Sequence, residues 1–281
     1  MKKGKLTSLL LLLVLLAGLS LLLYPTVSNY WNSIHQSRAI AGYTEDVAAL
    51  DEEQYARLWA AAEAYNESLA EQAAPSYFLT DTQQEEYEQL LDIAGLGIMG
   101  FIEIPAIHCT LPIYHGTDEA VLQIAIGHLE WTSLPVGGES SHCVLSGHRG
   151  LPSAQLFTDL DKLSEGDLFM LRVLDEVLTY EVDQILIVEP GDTDALQIEA
   201  GQDYCTLVTC TPYGINSHRL LVRGHRVETP EETQSIRVTA EAVQINPLLI
   251  APIVAVPILL LLIILLPFRR PAKKHGGDND E

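Results

Sequence analysis

Basic residues are scarce in this 281-residue sequence, which holds 16 Lys and Arg against 38 Asp and Glu. Seven of the basic residues lie near the two ends of the chain, and the middle keeps nine of them against 35 acidic residues, a net charge of −26. A surface of this charge repels the phosphate backbone, so we predict no binding to nucleic acid. The charge suits either cationic partners or a solvated surface that keeps the domain soluble.

The sequence also lacks the Cys and His spacings that are typical of metal sites and of disulfide-rich domains. There is no Cys-x-x-Cys and no His-Glu-x-x-His pattern, and the nine histidines are scattered, so we expect neither a metal site nor a cofactor. On one strand-like run, Cys205 and Cys210 would lie on opposite faces and roughly 16 Å apart at about 3.3 Å per residue. A disulfide needs a much shorter separation. Cys109 and Cys143 show no partner pattern, and a free thiol at Cys210 is therefore expected.

Two long apolar runs lie near the ends of the chain. The first, residues 9–23, follows three lysines and is closed by Pro25, and the second, residues 247–267, precedes four basic residues. The second run is long enough to cross a bilayer. The positive-inside rule then predicts a two-pass membrane protein with both termini in the cytoplasm and residues 26–246 outside. A cleaved signal peptide is the alternative for the first run, and a buried core helix is the alternative for the second.

The segment between the apolar runs divides into two parts. Residues 44–71 have helical spacing with Thr44 as a plausible N-cap, and a shorter helix follows Pro75. After Gly95, short apolar runs separated by Gly, Pro and Asp predict a mainly antiparallel β-barrel or sandwich. The predicted order is a basic tail (1–8), an N-terminal anchor (9–24), a helical extension (25–94), a β domain (95–232), a linker (233–246), a transmembrane helix (247–267) and a cytoplasmic tail (268–281).

Three residues at predicted strand ends form a candidate catalytic trio. Cys210 ends the run YCTLVTC and Arg219 begins RLLVRG, so a hairpin through TPYGINSH would bring them together. His148 follows the run SHCVLSG at the end of another strand. An imidazolium activates a thiolate, and a fixed guanidinium stabilises the oxyanion formed at a peptide carbonyl. The structural alternative is an inert buried cysteine with a surface arginine. His142 would lie about 20 Å from His148 on the same face, so only one of the two can serve Cys210.

The stretch TLVTCTPYGINSHR resembles the signature of sortases, the cysteine transpeptidases of Gram-positive cell surfaces, and LSGHRG resembles their histidine loop. MGFIEIP, LPIYHGT, GHLEWTSLPVGG and DLDKLSEGD are similar to the class C, or pilin-polymerising, sortases, and the likeness covers about residues 20–270. It implies an eight-stranded sortase β-barrel with an N-terminal helical extension and two transmembrane helices. It also implies that Cys210 is the nucleophile, His148 the general acid/base and Arg219 the transition-state stabiliser.

The function implied by this resemblance is that of a membrane-anchored transpeptidase. Such an enzyme cuts an LPxTG-type sorting motif between Thr and Gly through a cysteine thioester and passes the acyl group to a lysine amine of a pilin subunit. The implied partners are pilin subunits and membrane lipid. The alternatives are a cell-wall-anchoring sortase, a hydrolytic cysteine peptidase and a non-catalytic surface scaffold.

One stretch departs from the class C pattern. Many class C sortases carry a lid with an Asp-Pro-aromatic motif, whose Asp approaches the catalytic arginine and whose aromatic ring approaches the cysteine. Here the corresponding lid segment, residues 72–82, has Ala74 and Ser76 on the two sides of Pro75. Tyr77, Phe78 or Asp81 could substitute in a shifted register. We expect a lid segment without a strong anchor.

Overall fold

The computed structural model describes residues 2–72 and 76–230. Three helices precede the β domain: α1 (Lys2–Ala48), α2 (Glu52–Ala70) and α3 (Asp81–Gln89). Helix α1 passes through Pro25 without interruption, although the sequence predicted that the apolar segment is closed there. The first predicted boundary of the helical extension, between residues 24 and 25, therefore falls inside one continuous helix.

The prediction of a single helix over residues 44–71 is wrong, because helix α1 ends at Ala48 and helix α2 begins at Glu52. Asp51 caps α2 in a capping box: its side chain accepts from the Gln54 backbone N–H, and the Gln54 side chain accepts from the Asp51 N–H. Thr44 is not a cap, since its hydroxyl donates to the Ile40 carbonyl oxygen inside α1. The second predicted helix is confirmed as α3, which Thr80 caps.

Eight strands and one short helix, α4 (Glu119–Leu122), form the β domain. The strands close into a barrel in the order β1-β2-β3-β4-β7-β8-β6-β5. The β2–β3 and β4–β7 pairs are parallel and the other pairs antiparallel, which confirms the mainly β, eight-stranded barrel. The strands are β1 (Ile98–Ile104), β2 (Cys109–His115), β3 (Ile126–His128), β4 (Ser141–Ser146), β5 (Leu168–Val173), β6 (Glu176–Val188), β7 (Asp203–Thr211) and β8 (His218–Val227).

Strand β7 shows how the barrel separates its two faces. Cys205 and Leu207 belong to the main hydrophobic core inside the barrel. Val208 points outward and packs with Val144 and Leu196 in a second cluster, beneath the segment that connects β6 to β7. Because side chains alternate along a strand, Thr206, Val208 and Cys210 share this outer face.

Within the described residues, α1 is the one helix long and apolar enough to span a membrane. None of its most apolar window is buried against protein, and Leu10, Leu11, Leu21 and Leu22 are exposed. The predicted linker, the second predicted membrane span (residues 247–267) and the C-terminal tail lie outside the described residues.

Candidate active site

The hairpin of β7 and β8 brings the first two members of the predicted trio together. Cys210 pairs directly with Arg219 in the antiparallel register, and both side chains are half-buried. The Arg219 Nη1 donates to two carbonyl oxygens of its own loop, those of His218 at 3.2 Å and Asn216 at 3.5 Å. Within the described part of the chain, Arg219 pairs with no carboxylate. Arg219 is therefore the cross-strand neighbour of Cys210, and its guanidinium retains free donors.

The parallel pairing of β4 with β7 brings His148 to the same place. The register reaches Ser146 opposite Val208, and the Gly147 N–H then donates to the Val208 carbonyl oxygen at 3.0 Å. The Thr209 hydroxyl donates back to the Gly147 carbonyl oxygen at 2.7 Å. Continuing this register by two residues sets His148 beside Cys210. The structure thus gathers all three predicted residues at one end of the barrel, and their catalytic roles remain a prediction.

Glu119 is a neighbour of His148 that the sequence did not indicate. Its Oε2 atom, at the start of α4, lies 4.0 Å from the His148 Nε2. The pair is charged on both sides only when the imidazole is protonated. Since the Glu119 side chain is 76% exposed, solvent screens the interaction. No spacing in the sequence could reveal this contact, because the two residues are far apart in the chain.

Arg149 ties the histidine loop to the cysteine loop. Its guanidinium forms an ion pair with Asp161 and donates to the Thr211 hydroxyl at 3.3 Å, one residue beyond Cys210. It also lies over the Tyr213 ring, at 5.9 Å from the ring centre. Gly150 touches the same ring so closely that a Cβ atom there would meet it at 2.9 Å. Arg149 follows His148 in LSGHRG, so the motif carried a signal that the sequence analysis did not use.

His142, the histidine on β4 itself, has a different environment from that of His148. His142 is buried, and its Nδ1 lies 2.8 Å from the Gln197 carbonyl oxygen. A carbonyl can only accept, so Nδ1 carries the proton, and Nε2 accepts from the Thr206 hydroxyl at 2.7 Å. Burial lowers the pKa of His142 to about 4. His142 is thus a neutral structural residue, away from Cys210 as expected.

Arg223 is the structural counterpart of Arg219 on β8. It lies four residues further along the same face and pairs with Thr206 across the sheet. Its Nε and Nη2 donate to the two carboxylate oxygens of Asp183 at 3.0 and 2.9 Å, and its guanidinium stacks 4.1 Å from the Tyr204 ring. The donors that Arg219 leaves free are used here.

All four cysteines are free thiols, as the sequence predicted. Cys143 and Cys205 pair in register on β4 and β7 inside the core, a proximity that the sequence did not reveal. Burial raises the pKa of the Cys205 thiol well above its usual range, and burial raises that of Cys109 to about 12. The thiols of Cys205 and Cys109 are therefore poor nucleophiles at neutral pH. Cys143 is buried in the core, where a peptide cannot reach its thiol, which leaves Cys210.

Among the described residues, no group of three or more His, Cys, Asp or Glu side chains is placed to hold a metal ion.

The lid segment has an anchor that its missing motif did not predict. The Tyr77 ring meets the Trp131 ring edge-on at 4.9 Å. Its hydroxyl accepts from Thr193 at 3.1 Å and from the Gln197 side-chain amide at 3.2 Å. Across residues 76–82, no described contact reaches Cys210 or Arg219, and Phe78 is 87% exposed. The described residues 76–82 are thus attached through Tyr77 to Trp131 and Gln197, close to His142.

The sequence of the β domain is similar to known proteins. Residues 102–227 match a family model described as the sortase domain. Sortase D of Bacillus subtilis (strain 168) is 33% identical over 131 residues, which cover 46% of this chain and 63% of that protein. Sortase A of Streptococcus agalactiae is 30% identical over 120 residues, 42% of this chain and 48% of that protein. The chain therefore matches less than two thirds of the length of these curated relatives.

Solved structures match over more of their length. Sortase C1 from Streptococcus agalactiae is 51% identical with a TM-score of 0.67, and the match covers 69% of this chain and all of that one. Sortase C of Streptococcus pneumoniae is 47% identical, with a TM-score of 0.62 and coverage of 68% and 97%. Sortase C-1 from Actinomyces oris is 47% identical, with a TM-score of 0.58 and coverage of 62% and 99%. This chain belongs to the sortase family, and its structural neighbours are class C sortases.

Proposed function

We propose that this chain is a membrane-anchored cysteine transpeptidase that cleaves an LPxTG-type sorting motif and joins it to a lysine amine of a pilin subunit. The observation that carries the proposal is the register that sets Cys210 opposite Arg219, with His148 two residues beyond the end of the adjoining strand β4. Sortase membership supports cysteine transpeptidation as the reaction class.

The residues divide the first half of the reaction among them. The Cys210 thiolate attacks the carbonyl carbon of the motif's Thr, and the carbonyl oxygen becomes an oxyanion that accepts from the free donors of Arg219. As the C–N bond to Gly breaks, the His148 imidazolium gives its proton to the departing amine. The products are a thioester on Cys210 and a free N-terminal glycine.

The second half reverses these roles. Neutral His148 takes a proton from the incoming lysine amine, which attacks the thioester carbonyl. The C–S bond breaks, an isopeptide bond forms, and the thiolate of Cys210 returns beside a protonated His148. Water in place of the amine would give hydrolysis, so the nucleophile that reaches the thioester decides between transfer and peptidase activity.

Two features of the chain bear on its substrate. A cavity of about 330 Å³ lies on the outer side of the barrel, between Trp131, His142 and the end of α2. Streptococcus pneumoniae sortase C, a structural relative, has pilin substrate specificity. We extend a pilin substrate to this chain on that basis, and the acidic middle segment suits a cationic lysine.

We further propose the location and the domain limits predicted from the sequence. Helix α1 anchors the chain in the cell membrane, and the catalytic domain of residues 95–232 lies on the outer side. A second span at residues 247–267 returns the chain to the cytoplasm. The exposed apolar surface of α1 supports the first anchor.

Intact-mass spectrometry of the full chain in detergent, with an LPxTG peptide and with or without a lysine-bearing acceptor, tests the activity. We expect an acyl adduct that Cys210→Ala abolishes and that the matched Cys109→Ala variant retains, and a ligated product only with acceptor. Hydrolysed peptide without ligation would favour the peptidase alternative. No adduct, with or without residues 72–82, would favour the non-catalytic scaffold.

A further inference from the structure

Helix α1 is hydrogen-bonded to the β domain at several positions along its length. The Asn29 side chain accepts from the Gln155 N–H at 2.8 Å, and the Asn32 amide donates to the Ser153 carbonyl oxygen at 2.8 Å. Both partners lie in the loop that follows His148. One turn further along, the Gln36 amide donates to the Ile124 carbonyl oxygen at 2.6 Å. The helix is thus fixed to the segments around the candidate active site.

The later part of α1 reaches the opposite end of the barrel. The Tyr43 hydroxyl donates to the Met99 carbonyl oxygen and accepts from the Leu174 N–H. Met99 lies at the start of β1, and this part of β1 is beside the end of β2. Strand β2 runs parallel to β3, and β3 runs antiparallel to β4, so β1 runs in the same direction as β4. Since β4 ends near His148, β1 begins at the end of the barrel away from His148. Between residues 29 and 43, α1 therefore runs from the active-site end of the barrel to its opposite end.

Counting residues places the active-site end at the membrane surface. A hydrocarbon core of about 30 Å takes roughly 20 helical residues, so a span that starts just after Lys5 ends near residues 25–28. The headgroup layer adds about 5–8 Å, or roughly three to five residues of helix. Asn29 and Asn32 fall in this layer. Tyr24, Tyr30 and Trp31 are exposed on the same stretch, and aromatic residues of this kind are typical of a membrane interface.

Exposed apolar side chains of the barrel gather at the same end. Tyr213 and Ile215, in the loop after Cys210, are 62% and 71% exposed, and Ile124, just before β3, is 46% exposed. Large apolar side chains are costly in water but are stabilised in the interface of a bilayer. At the far end, two residues before β1, Leu96 is 67% exposed and serves as the matched comparison.

We propose that the active-site end of the barrel rests on the outer surface of the lipid bilayer, with Ile124, Tyr213 and Ile215 in contact with the interface. The inference depends on the proposed anchoring by α1, whose fixed docking sets the orientation. Cys210 then lies at the level of the headgroups. This position favours a sorting motif that a neighbouring membrane segment holds close to the bilayer over the same motif free in solution.

Depth-dependent fluorescence quenching tests this orientation without reference to enzymatic activity. A Cys210→Ala/Cys109→Ala background leaves Cys143 and Cys205, both buried, as the only native thiols. Ile215→Cys, Ile124→Cys or Leu96→Cys is then labelled with an environment-sensitive fluorophore in the full chain. The chain is placed in phosphatidylglycerol and phosphatidylcholine vesicles that carry a nitroxide on the lipid headgroup. Flotation after an alkaline wash shows whether the chain is anchored.

The expected result is a loss of fluorescence at positions 215 and 124 several-fold larger than the loss at position 96. The two ends of the barrel are roughly 20 Å apart over a strand of six or seven residues, which is enough for the quencher to distinguish them. Equal quenching at all three positions in an anchored chain would overturn the orientation while leaving the transpeptidase proposal intact. A chain that does not float would overturn the orientation together with the anchoring. Failure to form the acyl adduct in the separate activity test would not change the quenching, because the labelled proteins lack Cys210.

Discussion

The outer face of the barrel carries a histidine and an arginine at two places near β4 and β8. At one end, the saturated end, His142 and Arg223 flank Thr206, and at the other, the open end, His148 and Arg219 flank Cys210. His142 uses both ring nitrogens and Arg223 binds both oxygens of Asp183. Among the described residues, no hydrogen bond holds a ring nitrogen of His148, and Arg219 bonds only to carbonyls of its own loop.

This difference shows what distinguishes a structural polar group from a reactive one. Buried polar groups need partners, and a histidine or arginine whose partners are all supplied by the protein has nothing left for a substrate. Residues that keep donors and lone pairs free in a half-buried position can bind charge as it develops in a reaction. The histidine and the arginine are of the same type at the two ends, so for these two residues the state of their hydrogen bonds makes the difference.

Replacing Cys210 at the open end and Thr206 at the saturated end gives the largest difference in activity. Cys210→Ala removes the nucleophile, so we expect no acyl-enzyme at all. Thr206→Ala removes one hydrogen bond to His142, so we expect an intact adduct and a free energy of unfolding lower by about 1 kcal/mol. Intact mass and denaturant titration measure the two effects. A folded Thr206→Ala protein without adduct would contradict the assignment of that end as structural.

The arginines give the next contrast. Arg219→Lys keeps the charge but loses the planar guanidinium, and loss of an oxyanion donor lowers kcat by about 10²–10³-fold. Arg223→Lys breaks the two-oxygen contact with Asp183, and we expect a small loss of stability with nearly unchanged kcat. Steady-state kinetics with peptide and acceptor separates the two variants. Equal losses of kcat would mean that both arginines serve the reaction.

The saturated end also predicts how stability depends on pH. Because burial lowers the pKa of His142 to about 4, the unfolded chain binds a proton near pH 6.5 while the folded chain stays neutral there. Acid therefore favours unfolding: the free energy of unfolding is undiminished above pH 6.5 and falls by about 3 kcal/mol as the pH drops to 4.

His142→Gln is the control, because glutamine can also donate and accept but does not titrate. We expect this variant to lose less stability between pH 6.5 and 4 than the parent chain, as measured by urea titration at each pH. His115 has a lowered pKa for the same reason of burial and contributes equally to both proteins. Parallel pH curves for the two proteins would show that His142 does not cause the acid sensitivity.

The lid segment gives the smallest effect. Tyr77 is attached at the saturated end through Gln197, whose carbonyl also holds His142. Tyr77→Phe removes two hydrogen bonds at an exposed site, each worth about 1 kcal/mol, so limited proteolysis within residues 72–82 should become several-fold faster. Phe78→Leu, at an exposed neighbour, should leave the rate unchanged. Identical rates for all three proteins would mean that Tyr77 does not hold the segment.

Some of the fold and the site followed from local pattern. Short apolar runs separated by Gly, Pro and Asp predicted the β domain after Gly95, and the adjacency of β7 and β8 in sequence made the pairing of Cys210 with Arg219 predictable. Strand β3, at three residues, is too short to form such a run. The break before α2 was missed because Val47, Leu50 and Leu58 continue a helical spacing across it, while Asp51 offers a better cap than Thr44.

The sequence by itself determined a mainly β domain, the strand ends that carry Cys210, His148 and Arg219, and an apolar N-terminal helix. These features depend on short-range periodicity and on one hairpin. Only the tertiary structure decided that His142 and Arg223 are satisfied, that Arg149 links the two loops of the trio, that Tyr77 attaches the lid segment, and that α1 is fixed beside His148. Each of these depends on hydrogen bonds or ring contacts between segments remote in the chain, and local spacing carries no information about which remote group completes a donor or an acceptor.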